Sequence, residues 1–345
     1  MKFQSLSKRG FSLFLTFVMC LSLLGVQVFA ADAVTMSGEE FLALADENGT
    51  IVLTNDVVLT GTVQVTENIA IELGDFIIAM GSNGIQNIGE LTITAGMGGI
   101  QSDDVFMENY GVLVLSGGNY AGSVANMATG DLTIEDGTAI TASGYVLTNN
   151  GTGTIQGGTF EGGSKKALIK GEDGSLTIEG GSFVNTNSKP LVAASGETEI
   201  TITGGDIDCG LAAGSNVTVT GGNFPAETEI ADFLNQDELT AVVKDENGKQ
   251  TILTGDDAVE AIENGADAYL GGGAVEADRF AAVMLDRNDG SSPEKRLVVK
   301  GTSITLENLT REGCYAFVGW LRDNVPVEGE ALIEEDTSFT AQWNA

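Results

Sequence analysis

The stretch "SLTIEGGSFVN" at Ser175–Asn185 joins an alternating apolar run to a glycine pair and then to an aromatic residue. Near copies flank it: "GTIQGGTFEGG" at Gly153–Gly163 and "NVTVTGGNFPA" at Asn216–Ala226. The pairs Gly117–Gly118, Gly157–Gly158, Gly180–Gly181, Gly204–Gly205 and Gly221–Gly222 keep this register, with Asp136–Gly137 between the first two. Their average spacing is about 21 residues, a repeat length typical of solenoids.

What precedes each glycine pair has period two. Leu91/Ile93, Leu113/Leu115, Leu132/Ile134, Leu176/Ile178, Ile200/Ile202 and Val217/Val219 alternate with other residues, which is the pattern of a strand with one buried face. One residue after the pair, a large side chain resumes the apolar set: Tyr120, Phe160, Phe183, Ile207 and Phe224. The glycines therefore turn a corner where a side chain would crowd or φ must be positive. A third short apolar run, "SVANM", "YVLT", "ALI" or "PLVA", completes each repeat. Three strands per repeat predict a parallel β-helix, about nine coils between Gly49 and Phe224, stacked ~4.8 Å apart. Stacking then predicts an internal column of Tyr120, Phe160, Phe183 and Phe224, and an amide ladder of Asn87, Asn109, Asn126 and Asn149.

The ends of the repeat array differ from its body. "SGEEFLALADENGTIVL" at Ser37–Leu53 reads as a capping box, a short helix and a first strand, covering the N-terminal edge. Thr254–Leu270 repeats that grammar, and Glu238–Leu253 reads as a hairpin turning at "DENGK". The reading is all-β: residues 31–225 an N-terminal helical cap and β-helix, 226–274 a hairpin and connecting or capping segment, and 275–345 a small separate β module. Residues 1–30, with Lys2, Lys8 and Arg9 before an apolar run and "VFA" at Val28–Ala30, read as a cleaved signal peptide. The mature chain is expected to be secreted or on the cell surface, with no transmembrane segment.

Composition narrows the function. There are 49 acidic residues against 16 basic ones and a net charge of −33, so nucleic acid, anionic membranes and acidic polysaccharides are disfavoured partners. No histidine is present, which excludes His-based triads and His-ligated zinc. Cys209 and Cys314 are far apart in sequence and in different segments, so no disulfide framework is expected.

Two resemblances follow from these motifs. The "LTIxGG[TS]F" phrases of Gly49–Phe224 resemble right-handed parallel β-helix repeat proteins of the pectate-lyase-like superfamily, which includes both pectin-degrading enzymes and adhesin-like exported proteins. Near the C-terminus, "NDGSS", "VVKGTSITL", "REG", "FVGW" and "AQW" resemble the Listeria–Bacteroides repeat, the internalin B-repeat type, over about Ala281–Trp343. That resemblance implies a small β-grasp-like module of bacterial extracellular proteins. "REGCYAFVGW" carries one more residue than the family's usual spacing. Phe317, Trp320 and Trp343 are expected in its core.

The enzymes of the superfamily use acidic calcium ligands with an arginine base, or paired aspartates with a histidine-containing motif. Between Ala31 and Phe224 the chain has no arginine, and its basic residues are Lys165, Lys166, Lys170 and Lys189. Asp206 and Asp208, two apart on a strand, remain as candidate catalytic carboxylates or calcium ligands, and no cofactor other than this calcium is expected. Asp103–Asp104 is a second pair, expected in a turn. "SKKALIK" and "SKPLVA" place Lys165 and Lys189 at the same point of consecutive coils, with Lys166 and Lys170 nearby, as a candidate anion-binding patch. Solvated lysines offsetting Glu161, Glu172 and Asp173 are the alternative. The function expected is an exported, non-catalytic, adhesin-like solenoid binding an extracellular glycan or surface protein along a lateral face. A carboxylate-only polysaccharide lyase or glycoside hydrolase, and a purely structural spacer, are the other readings.

Overall fold

A computed structural model describes residues 33–344 apart from 163–166, 172, 193–197, 213–215, 236–237, 271–272, 276–278, 292, 312–314 and 328. The chain is nearly all β, with a parallel β-solenoid and a C-terminal sheet module.

The opening phrase forms one corner of this solenoid. Strand Ser175–Ile178 buries Leu176 and Ile178, and strand Ser182–Asn185 buries Phe183 and Asn185. Between them Gly181 has φ 99°, and Gly205 and Gly222 repeat this at 97° and 98°. A Cβ on Gly204 would collide with the Glu179 carbonyl oxygen of the preceding coil, and one on Gly221 with that of Thr203. The first glycine of each pair thus permits close stacking of coils, and the second permits the left-handed turn.

The first face is a nine-stranded parallel sheet running from Thr50–Val52 to Val217–Val219, one strand per coil. The second and third faces belong to one larger sheet, because strands Gly99–Asn109 and Gly118–Asn126 run through the corner between them. The solenoid makes about seven turns, where the repeat spacing predicts about nine. The nine strands of the first face account for the expected number. Among the described residues the third face fades sooner: after Ile169–Lys170 it continues as the Ile169–Val192 bridge, and the last two coils show two strands each.

Two other expectations need correction. The column through Tyr120 is Ile100, Tyr120, Ile140, Phe160, Phe183 and Ile207, with Phe224 next in register, so isoleucines interrupt the aromatics. Phe160 and Phe183 do stack, with ring centroids 4.7 Å apart, but Tyr120 stacks on Phe106 instead at 5.2 Å. The degenerate corner Asp136–Gly137 contributes Ile140, and one coil of offset separates Tyr120 from Phe160. Asp103 and Asp104 are not in a turn but exposed within strand Gly99–Asn109, which the larger sheet continues past the corner.

The amide ladder forms as expected. The Nδ2 atoms of Asn87, Asn109 and Asn126 each donate to the Oδ1 of the next asparagine at 2.8 Å, ending on Asn149. All four side chains are fully buried. Each also donates to a carbonyl of the first-face strand ahead: Val112, Asp131, Thr152 and Ser175. The ladder thereby gives every buried Nδ2 donor of the column an acceptor.

Both solenoid ends are covered. Helix Gly38–Leu42 carries the capping box, Ser37 Oγ accepting from Glu40 N and Glu40 accepting from Ser37 N, and its Phe41 is fully buried against the first coil. Strand Val34–Met36 adds in parallel to Val57–Leu59. At the other end the pairing changes sense: Gly222–Phe224 takes Gln250–Thr254 as an antiparallel neighbour, from a hairpin with Thr240–Lys244. Asp245 accepts from the Asn247 and Lys249 amides to form the "DENGK" turn. Helix Gly255–Glu263 packs Ala258 and Ile262 with Ala241, Ala268 and Phe280, which ties the hairpin to the C-terminal module.

That module is a five-stranded sheet in the order Glu294–Val299, Phe280–Asp286, Thr337–Asn344, Ala316–Arg322, Val325–Val327, with a two-stranded ribbon Thr302–Thr305/Glu330–Ile333. Trp320 is buried among Val283, Ile333 and Phe339, and its indole donates to Glu307 O at 2.9 Å. Phe317 and Trp343 are only partly buried at the margin of this core.

Candidate functional site

The first face presents a column that the sequence repeat had hidden. Successive registers place Thr50, Ala70, Thr92, Val114, Thr133, Thr154, Thr177, Thr201 and Thr218 side by side, between the buried positions of each strand. Threonine suits an outward strand position because its β-branch fits the pleat while its hydroxyl stays in water. All nine positions are exposed or half-buried, so outward side chains recur at ~4.8 Å intervals along eight spacings, or ~38 Å, and seven of the nine carry a hydroxyl. The third face carries a parallel outward column of Gln64, Gln86 and Glu108, linked at 2.8 Å and 3.3 Å, continuing through Ala125 and Thr148 to Lys170.

Asp206 and Asp208 flank the buried Ile207 at the solenoid's C-terminal end, so both carboxylates are outward on one side, as their spacing requires. Asp206 lies level with Ser182 and Asn223, and its carboxylate is ion-paired with Lys249 of the hairpin. Asp208 is exposed. It adds to burial in pushing the thiol of the neighbouring Cys209 up to about 12, so that cysteine, free and buried 3.8 Å from Phe183 O, stays protonated. Cys314 lies outside the described residues. A calcium ion takes six to eight oxygens, whereas among the described residues no group of three or more acidic or cysteine side chains converges.

Lys165 and Lys166 lie outside the described residues. Lys170 is half-buried on the third face, level with Thr148. Lys189 is exposed and precedes by three residues the Val192 that bridges to Ile169, so Lys170 and Lys189 sit at opposite ends of this run.

Where the hairpin closes the solenoid, a shallow groove of about 390 Å³ follows the glycine corner. Its floor is Gly204, Gly205, Gly221 and Gly222, and Thr203, Thr220, Thr251 and Asp257 stand along it. Thr251 Oγ1 donates to Asn223 Oδ1 at 2.7 Å. Sequence reading missed this groove because its wall comes from a hairpin that pairs with the last coil in the antiparallel sense.

The C-terminal module adds an aromatic surface. The Arg311 guanidinium lies 4.4 Å from the Tyr315 ring centroid and 5.8 Å from that of Trp343. Trp343 meets Phe317 edge to face at 5.5 Å, and its indole donates to Arg287 O. Tyr315 remains 46% exposed.

No helix among the described residues is long and apolar enough to cross a membrane. No family model matches the chain, and no match is found among curated proteins or solved structures.

Proposed function

We propose that this chain is an exported, non-catalytic, adhesin-like β-solenoid that binds an extracellular glycan or a surface protein along its lateral face. The observation that carries this reading is the first face with its straight threonine column, seven threonines in nine positions. A flat, hydroxyl-lined surface ~38 Å long suits an extended polymer better than a small substrate. The ion pair between Asp206 and Lys249 supports a binding role, since it engages one of the two carboxylates that a catalytic pair would use. The apolar, basic-headed start of the sequence supports export, and kinship with adhesin-like β-helix proteins and with the Listeria–Bacteroides repeat belongs to the same reading.

A glycan array, run beside reducing-sugar and unsaturated-product assays with and without calcium, tests this. Binding without turnover is the expected result. Turnover abolished by Asp206→Asn or Asp208→Asn would replace the reading with that of a carboxylate-dependent polysaccharide enzyme. Neither binding nor turnover would leave a structural spacer.

A further inference from the structure

The strongest unexplained feature outside the solenoid is Arg311. In a chain of net charge −33, Lys244, Lys249 and Arg296 are each paired with a carboxylate, of Asp267, Asp206 and Glu294 respectively. Arg311 is held differently. Among the described residues its hydrogen-bond acceptor is the Asn288 carbonyl, 3.0 Å from Nη1, and two aromatic rings flank its guanidinium. A guanidinium has five N–H donors in a rigid fork, so stacking fixes its plane and leaves donors for a ligand.

The surroundings supply the complementary groups. The Asp289 carboxylate is fixed by hydrogen bonds from the Ser291 hydroxyl and amide, and these, together with the nearby Arg311 charge, hold it below the usual carboxylate range. It is an acceptor-only group in neutral solution. Tyr315, exposed and set on Arg311, offers an aromatic face at the surface. The half-buried Trp343 is braced from behind by Phe317 and by the Arg287 carbonyl. An apolar ring face beside a fixed fork of donors and a fixed acceptor matches a pyranose, which has an apolar C–H face and hydroxyls that both donate and accept. A polyanion is disfavoured by the charge of the whole chain.

We propose that Arg311, Tyr315, Trp343 and Asp289 form a binding site for a neutral sugar ring in the C-terminal module. The sugar stacks on Tyr315, a hydroxyl pair receives hydrogen bonds from Arg311, and Asp289 accepts from a neighbouring hydroxyl. The site deepens the glycan-binding reading above and rests on it, but it is independent of the solenoid's lateral face.

The test titrates the full mature chain with cellohexaose, mannohexaose, chitohexaose and a β-1,4-galactan hexamer, with trigalacturonate as the anionic comparison. Calorimetry reads affinity, and tryptophan fluorescence reads the site, because Trp320 is 4% exposed whereas Trp343 is at the surface. At least one neutral hexamer should bind, shift the emission, and resist added salt. Tyr315→Ala should weaken it about tenfold, the scale of one lost aromatic stacking contact, without lowering the melting temperature, while Tyr315→Phe should bind as the parent does. Arg311→Lys should also weaken binding, because an ammonium lacks the planar fork. Failure of every neutral hexamer to bind, or a preference for trigalacturonate, overturns the proposal. So does binding that Tyr315→Ala leaves unchanged; if Thr177→Val with Thr201→Val then removes it, the lateral-face reading survives and this site does not.

Discussion

The Thr198 hydroxyl sits beyond the end of the amide ladder at Asn149 and donates to two backbone carbonyls, Asn149 O at 3.2 Å and Asp173 O at 2.8 Å. The next ladder position is Gly171, and a side chain there would collide with the Thr198 hydroxyl. A buried hydroxyl from the following coil thus occupies the space that a fifth asparagine would need. At the other end Asn87 follows Val65 in register, and its Oδ1 is buried without a hydrogen-bond partner.

This asymmetry predicts unequal costs along the ladder. Asn126 accepts from Asn109 and donates to Asn149, Gly130 and Thr152, so Asn126→Ala removes four buried hydrogen bonds and strands the Asn149 Oδ1. A loss of about 3 kcal/mol or more is expected, at about 1 kcal/mol per hydrogen bond and a further one to three for the stranded oxygen. Asn87 accepts from no residue of the ladder, so Asn87→Ala should cost at least about 1 kcal/mol less. Chemical denaturation of both variants checks the order, and equal losses would contradict it.

The corner account predicts that Gly205→Ala destabilises by about 1–3 kcal/mol, because the residue holds φ 97°. Ile178→Asp should do worse, placing an unpartnered carboxylate in the core and unfolding adjacent coils. Melting curves of the two variants provide the check. An Ile178→Asp protein that melts like the parent would mean that this column does not face inward.

The N-terminal cap should weaken in acid. Asp46 accepts from the Thr50 and Asn48 amides, and Glu40 from the Ser37 amide, and these bonds lower both carboxyl pKa values. Because the folded values are depressed, the stabilisation is present in full above the ordinary carboxylate range and is lost as pH falls through the lower folded values. The melting-temperature gap between the parent and a Glu40→Gln, Asp46→Asn variant should therefore narrow from pH 7 to pH 3. A gap independent of pH would contradict the assignment.

Features set by neighbouring residues were legible in the sequence. The Leu176/Ile178 alternation, the glycine corner, the Ser37–Glu40 capping box and the "DENGK" turn each depend on a few adjacent positions. The asparagine ladder was legible because it recurs near the repeat length. What joins distant parts of the chain was not: Thr198 reaches Asn149 across 49 residues, and Lys249 reaches Asp206 across 43, through a hairpin that reverses the pairing. The aromatic column was misjudged at Ile140 because its corner lacks the double glycine. Arg311 escaped notice since Trp343 meets it only when strand Ala316–Arg322 pairs with strand Thr337–Asn344.

The central claim, that successive repeats stack as level coils, is tested most directly by distances between nitroxide labels on the threonine column. Thr154 lies five coils from Thr50 and Thr201 lies seven. Pulsed electron–electron resonance should give ~24 Å and ~34 Å for the two pairs, a difference of two coil spacings that label size does not affect. A difference near zero, or one far above ~10 Å, would contradict a parallel solenoid in this register.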